Sequence, residues 1–350
     1  MDHLKPYPEL YNVPFIADEF NGMPYRLLGK SGLRVSNIGL GTWKFGYPET
    51  GDGARVNEKT AFKIFDRAIE LGVTHWDTAN RYNDASGNSE RVIGKWLKNN
   101  PDQRRNVILA TKIFGGMDGT TPNHSRLSRS NILDSTYASL ERLQLDYVDI
   151  LYFHSFDPIT PIEESLETIN DLVQRDLIRY FAVSNFTVDQ LKSYQEIEKK
   201  ISIRTRALAV QNQFDILNGE GSEYAGSGVL EYAARTGMSY VAWAPLARGV
   251  LTDRYLDLSK VKKGDRLFDE GTLEKVINKE VLAKLNKLAD LAKQWGITIS
   301  QLSLAYMLTL PGMGPLIPSS STAEQLEMNA AAGKIVLTDE QRTKIKQVVS

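Results

Sequence analysis

Apolar residues along the chain gather into eight short runs: Asn37–Gly41, Val73–Thr78, Asn106–Lys112, Tyr147–His154, Arg179–Asn185, Arg206–Gln211, Ser239–Pro245 and Pro315–Ser319. Most are nearly continuous rather than alternating, as in Val107-Ile-Leu-Ala110. A strand with one wet face alternates apolar and polar residues, so continuous runs predict parallel strands buried on both faces. Between the runs, apolar and small residues recur at helical spacing, as at Phe62, Phe65, Ala68 and Ile69, or Ile132, Thr136, Ser139, Leu140 and Leu143. Thr160-Pro-Ile-Glu163 and Thr187-Val-Asp-Gln190 read as capping boxes, the first with Pro at the opening helical position. Strand and helix alternating eight times is what a closed α/β barrel of the (β/α)8 TIM type requires, although an open doubly wound sheet shares the alternation.

Three features exceed a minimal barrel. Tyr25–Leu28 and Leu33–Ser36 around Lys30-Ser-Gly32 predict an N-terminal hairpin, preceded by an extension over residues 1–24. Leu246 to about Asn278 is charged, contains glycine and has no clear period; loops of that length are functional or disordered. Helical patterns at about 280–295 and 299–310 precede the eighth run, and another at about 339–349 ends the chain, so two extra helices are expected within one domain over residues 25–350.

Charge narrows the possibilities. With 42 Lys and Arg against 43 Asp and Glu, the net charge of −1 gives no drive toward nucleic acid or an anionic membrane. The absence of Cys excludes disulfides, thiolate metal sites and a cysteine nucleophile. His3, His75 and His124 lack metal-ligand spacing, so no metal is expected. The first 22 residues are charged and lack a signal-peptide apolar core, and the longest apolar stretch, Val241–Ala247, is too short to span a bilayer. The cytoplasm is the expected compartment.

Barrel enzymes carry their chemistry at the C-terminal ends of the strands. Here those ends read Gly41-Thr-Trp43, Asp77, Lys112, His154, Ser184-Asn185, Gln211, Trp243 and Ser319-Ser-Ser321. Asp77, Tyr82, Lys112 and His154 supply a carboxylate, a phenol, an ammonium and an imidazole. A free phenol titrates near 10, and an adjacent ammonium favours the phenolate and pulls that value down. An aspartate beside the lysine would keep it charged, and an imidazole N–H could orient a carbonyl oxygen. Such a set suits protonation of an alkoxide as it forms, the need of carbonyl reduction. A hydrolase using paired carboxylates has weaker footing, because the strand ends offer one carboxylate. No Gly-x-Gly-x-x-Gly occurs, and Pro24 stands where Gly29-Lys30-Ser31 would need the first glycine of a P-loop.

Gly39-Leu-Gly-Thr-Trp43, Asp77-Thr-Ala-Asn-Arg-Tyr82, Ala110-Thr-Lys112, Leu140-Glu-Arg-Leu-Gln-Leu-Asp-Tyr-Val-Asp149, Val183-Ser-Asn-Phe186, Trp243-Ala-Pro-Leu-Ala-Arg-Gly249 and Ile317-Pro-Ser-Ser-Ser321 together resemble the aldo-keto reductase family. The likeness implies a barrel binding NADP(H) or NAD(H) in extended form, with neither a Rossmann domain nor a metal. It implies that Tyr82 is the general acid/base, that Lys112 lowers its pKa, that Asp77 pairs with Lys112 and that His154 orients the carbonyl. Thr42 and Trp43 would line the nicotinamide side, with Gly41 and Asp77 also among the cofactor-binding residues; Ser184, Asn185 and Gln211 would hold the carboxamide, and Trp243 would stack on the ring. Leu246 and Arg248 would flank the pyrophosphate, with Ser319, Ser320, Gln325 and Asn329 around the adenosine end, and Ala244, Pro245 and Ser321 complete the cofactor-binding set. Family members often carry Lys and Arg where this chain has Ser319 and Gln325, so charge-assisted bonds to a 2′-phosphate are lost and NAD(H) stands beside NADP(H). Gln325 has a competing role, since Thr322-Ala-Glu-Gln325 also reads as a capping box.

The function implied is interconversion of aldehydes or ketones, sugars and glycosides included, with alcohols by hydride transfer. The alternative is a regulatory or redox-sensing cofactor-binding protein of the potassium-channel beta-subunit type. A small-molecule carbonyl or alcohol is the expected partner, and oligomeric state stays open. The Leu246–Asn278 segment is read as a lid over the cofactor. Residues 45–55 and 114–126 would shape the substrate pocket, with Phe45, Tyr47 and Phe114 as apolar walls and Asp52, Asp118 and His124 as polar contacts.

Overall fold

All eight apolar runs become strands: β1 Leu40–Gly41, β2 His75–Asp77, β3 Ile108–Ile113, β4 Val148–Phe153, β5 Ile178–Ser184, β6 Ala207–Gln213, β7 Ser239–Trp243 and β8 Met313–Ile317. The computed structural model describes residues 18–117, 119–221 and 225–350. The strands form one eight-stranded sheet in sequence order, each paired in parallel with the next. Parallel bridges Ile38–Leu316 and Gly41–Ser319 join β1 to β8, and the Gly39 amide donates to the Leu316 carbonyl at 2.7 Å, closing the barrel.

Helices cover the outside: α1 Glu58–Glu70, α2 Asn88–Asn99, α3 Arg129–Leu143, α4 Ile162–Gln174, α5 Val188–Ile201, α6 Val229–Thr236, α7 Lys279–Trp295, α8 Ile299–Met307, α9 Ala323–Ala332 and α10 Asp339–Val349. α7 and α10 pack on one another, as the two extra helices expected. Thr187 caps α5 in the reciprocal manner its sequence predicts. Thr160 does not cap α4: Pro161 takes the cap position, and the Thr160 hydroxyl donates instead to the Asp157 carboxylate at 2.7 Å. That carboxylate also accepts the Leu127 amide at 3.0 Å, so Asp157, rather than Thr160, organises the loop before α4.

Each strand has two buried faces for two reasons. Trp76 points outward into a helix-side stack with Phe65 and Trp96, at centroid distances of 4.6 and 5.1 Å. Ala110, Ile150, Tyr152, Ala182, Ala209, Val241 and Ile317 cluster with Leu28 and Val35 of the N-terminal hairpin. Met23–Leu27 and Arg34–Ser36 are the antiparallel strands of this hairpin, and Glu19–Phe20 adds a third strand from within the residues read as an extension. Residues 1–17 of that extension lie outside the described ones. The hairpin turn approaches the barrel so closely that a Cβ on Gly29, at φ +54°, would sit 2.2 Å from the Leu208 carbonyl oxygen. With this end plugged, the polar strand ends gather at the other.

Residues 246–278 fold into a chain of short helical turns: Ala247–Gly249, Asp253–Tyr255, Leu258–Lys260, Arg266–Asp269 and Leu273–Val276. Buried Tyr255 and Leu267 anchor the strap. Asp269 reaches Arg55 of the loop after β1 at 3.5 Å, and the Arg266 guanidinium lies 5.1 Å from the Trp43 ring centroid. Among the described residues, no helix is long and apolar enough to cross a membrane.

Candidate active site

β2 ends on Asp77, whose side chain faces into the barrel because its neighbour Trp76 faces out. On the adjacent strand, Lys112 projects into the same space and is 1% exposed. Its Nζ donates to Asp77 Oδ2 at 2.6 Å, to the Thr78 carbonyl at 2.9 Å and to Tyr82 Oη at 2.7 Å. Tyr82 Oη in turn donates to Asp77 Oδ2 at 3.1 Å. The three groups form a closed triangle, with the phenol as the corner nearest solvent. The His154 ring stands edge-on to Tyr82 at 6.1 Å between centroids.

Burial pushes the Tyr82 phenol well above its usual value, and the Asp77 charge adds to the rise. The expected lowering by Lys112 is therefore outweighed: at neutral pH Tyr82 holds its proton. Burial lowers the Lys112 ammonium, and Asp77 opposes that fall. His154 is driven down to about 3 by burial, then by the positive charges of Lys112 and Arg81, so the imidazole is neutral and keeps one N–H to donate. Tyr82 and His154 each retain an edge open to the barrel mouth.

The supports of this set come from residues that the sequence did not single out. Ser89 Oγ bonds to Thr42 Oγ1 at 2.7 Å and to Thr78 Oγ1 at 2.9 Å, tying the loops after β1 and β2 to α2. Its neighbour Glu90 is fully buried, accepting Thr111 Oγ1 at 2.5 Å and Arg142 Nε at 2.7 Å. A glutamate in the first turn of a helix ordinarily sits in water, so its pattern carried no signal.

The other singled-out residues divide by exposure and by partner. Gln211 Nε2 donates to Asp77 Oδ1 at 2.8 Å, Ser184 Oγ to the Gln211 carbonyl at 2.8 Å, and Asn185 Nδ2 to the His154 carbonyl at 2.9 Å. Trp243 Nε1 donates to Asn185 Oδ1 at 3.3 Å, which holds the indole at the rim. Thr42 is fully buried and donates to the Asp77 carbonyl at 2.8 Å, so it fixes the wall from behind. Trp43 is exposed, while Gly41 is so tightly placed that a Cβ would lie 3.0 Å from Ser319 Oγ. Pro245 is buried, Leu246 half-buried and Arg248 exposed, with its guanidinium on Glu270. Asn185, Ala244 and Arg248 adopt left-handed φ of 58°, 52° and 60°, a conformation that costs a non-glycine residue about 1–3 kcal/mol and gathers at binding sites.

Ser319 and Ser321 are exposed where β8 gives way to α9, and buried Asn329 donates to Ser320 Oγ at 3.2 Å. Thr322 Oγ1 caps α9 by accepting the Gln325 amide at 3.3 Å, but Gln325 Oε1 accepts the Ser321 amide at 2.8 Å rather than that of Thr322, so only half of the expected box forms. Among the pocket expectations, Phe45 is buried against Phe65, Tyr47 donates to Glu58 at 2.7 Å, and Asp52 is tied to the Tyr47 and Ala54 amides, each at 2.9 Å. Phe114 is half-buried, His124 bonds Thr121 at 2.9 Å, and Asp118 lies outside the described residues. Among the described residues there is no cluster of metal-ligating side chains.

Comparison with known proteins places these features in context. The model of the Aldo/keto reductase family matches residues 37–350. An Arabidopsis thaliana protein named "Probable voltage-gated potassium channel subunit beta" is 30% identical over 337 residues, covering 93% of this chain and 97% of that protein. A Schizosaccharomyces pombe protein provisionally named as the same kind of subunit is 32% identical over 335 residues, covering 94% of each chain.

Proposed function

Because the chain belongs to the aldo/keto reductase family, we propose that it is an oxidoreductase interconverting a small aldehyde or ketone and its alcohol with NADP(H), or NAD(H), as the redox partner. The observation that carries this reading is the triangle of Asp77, Lys112 and Tyr82, with neutral His154 beside it. The residues along the rim accommodate the cofactor: Ser184, Asn185, Gln211 and Trp243 at its ring, Arg248 at its phosphates, and Ser319 to Asn329 at its adenosine end. When bound, the nicotinamide supplies a hydride equivalent to the carbonyl carbon.

The chain's own residues handle the oxygen. His154 donates an N–H to the carbonyl oxygen and orients it. As the carbon accepts the electron pair, the C=O π pair moves onto oxygen, and Tyr82 Oη gives up its proton there. Lys112 Nζ, 2.7 Å away, holds the phenolate left behind until a proton from solvent restores it. The balance is carbonyl plus NAD(P)H plus one proton giving alcohol plus NAD(P)+. Gln211 and Lys112 each bond to the Asp77 carboxyl group, which holds the lysine in register with Tyr82. Titrating NADPH and NADH into the protein, with a panel of aldehydes and sugars, tests the reading: quenching of Trp fluorescence and turnover are expected, and the lack of both overturns it.

The names of the two relatives favour a second reading, in which the same residues hold a cofactor for regulation or redox sensing rather than for flux. Tight cofactor binding without turnover or exchange, together with a co-purifying channel partner, is the result that distinguishes it.

A further inference from the structure

Arg81 immediately precedes Tyr82 in the chain, yet its side chain leaves β2 and lies across the loop that follows β3. Its stem rests on Gly115 so closely that a Cβ there would fall 2.2 Å from Arg81 Cδ and 2.9 Å from Nε. Arg81 Nη1 donates to the Gly116 carbonyl at 3.0 Å. Arg81 is exposed, and the contact of its stem with Gly115 and the bond to the Gly116 carbonyl lay its guanidinium along this loop. Its charge reaches the site, since Arg81 is one of the cations holding the His154 imidazole neutral.

A guanidinium carries five N–H donors, and among the described residues Arg81 uses them on one backbone carbonyl and on no carboxylate. Among the described acids, Glu270 pairs with Arg248 and Arg266, Asp269 with Arg55, and Asp157 with Arg126. The stem of this exposed arginine, one residue before the proton donor in the chain, lies against Gly115.

We propose that Arg81 is a specificity-determining residue, and that the substrate is a carbonyl compound bearing an anionic group, a carboxylate above all, which Arg81 binds while His154 and Tyr82 take the carbonyl oxygen. A planar fork matches a carboxylate with two parallel bonds, which an ammonium in its place does not. The inference rests on the reductase reading and adds the substrate class to it.

The test compares 4-carboxybenzaldehyde with benzaldehyde, using NADPH-supplied wild-type protein, Arg81→Gln and Arg81→Lys. The wild type favours the carboxylated aldehyde in kcat/KM, and Arg81→Gln reduces that ratio by about 10- to 100-fold, chiefly through KM of the charged substrate. Arg81→Lys restores part of it. Taking the ratio removes any effect of the substitution on His154, which both aldehydes share. An equal preference in wild type, or an unchanged ratio in Arg81→Gln, overturns the proposal. If neither aldehyde is reduced, the reductase reading is what has failed, and the role of Arg81 is decided by Trp-fluorescence titration with benzoate and benzamide. Preference for benzoate, lost in Arg81→Gln, supports it; equal affinities in the wild type overturn it.

Discussion

At the scale of single residues, the candidate chemistry depends on which group holds a proton at neutral pH. Burial and Asp77 raise the Tyr82 phenol, so the acid needed for reduction is loaded throughout the neutral range. The reverse reaction needs the phenolate. Alcohol oxidation is therefore expected to accelerate as pH rises from neutral into the alkaline range, while reduction stays flat and then declines; steady-state rates in both directions check this, and parallel profiles would contradict it. His75, fully buried in β2, has its imidazole lowered to about 4 from an ordinary value of 6.5 by burial. A depressed folded value means the unfolded chain binds the proton first, so stability is complete above pH 6.5 and lost as pH falls toward 4. The loss amounts to about 3 kcal/mol from this group alone. Denaturant midpoints across that window should fall in the wild type and fall less steeply in His75→Asn.

Residues at strand ends were legible because their chemistry is written in their type: phenol, ammonium, carboxylate and imidazole at the tips of apolar runs admit few readings. Arg81 was not legible in the same way. Its place follows from Gly115, 34 positions away by residue number, and no local pattern links the two. Thr42 likewise reads as a wall of the pocket in sequence, whereas its hydroxyl turns back onto the Asp77 carbonyl.

At the scale of elements, a strand buried on both faces announces itself, since helices outside and side chains inside both demand apolar residues. The cap at Thr160 failed because the motif is local while its competitor, Asp157, is held by the Leu127 amide from another element. The 246–278 strap showed no period for a related reason. Its turns are too short to present a repeating face, and its order comes from scattered buried anchors such as Leu251, Tyr255 and Leu267 and from a set of ion pairs. If the strap lies over the cofactor, saturating NADPH should slow proteolytic nicking between residues 246 and 278. Nicking at an unchanged rate would count against that placement.

At the scale of the whole molecule, a plugged floor and a polar rim give the barrel one open end, and the site draws on loops from most of its circumference. Holding them in register falls to buried ties such as Glu90, which joins α2 to Thr111 of β3 and Arg142 of α3. Glu90→Ala removes two buried hydrogen bonds to a carboxylate, so it is expected to cost about 3 kcal/mol in a denaturant titration. A loss within a few tenths of a kcal/mol would mean that the pair is solvated in the folded chain.

The most direct test of the central claim, that the Tyr82 hydroxyl supplies the proton, is a single-turnover measurement with Tyr82→Phe. The variant lacks only the hydroxyl; protein saturated with NADPH is mixed with an aldehyde that the parent reduces, and loss of nicotinamide absorbance is followed. The expected result is unchanged quenching on NADPH binding and a rate lower by about 100- to 10,000-fold. A rate equal to that of the parent would contradict the account.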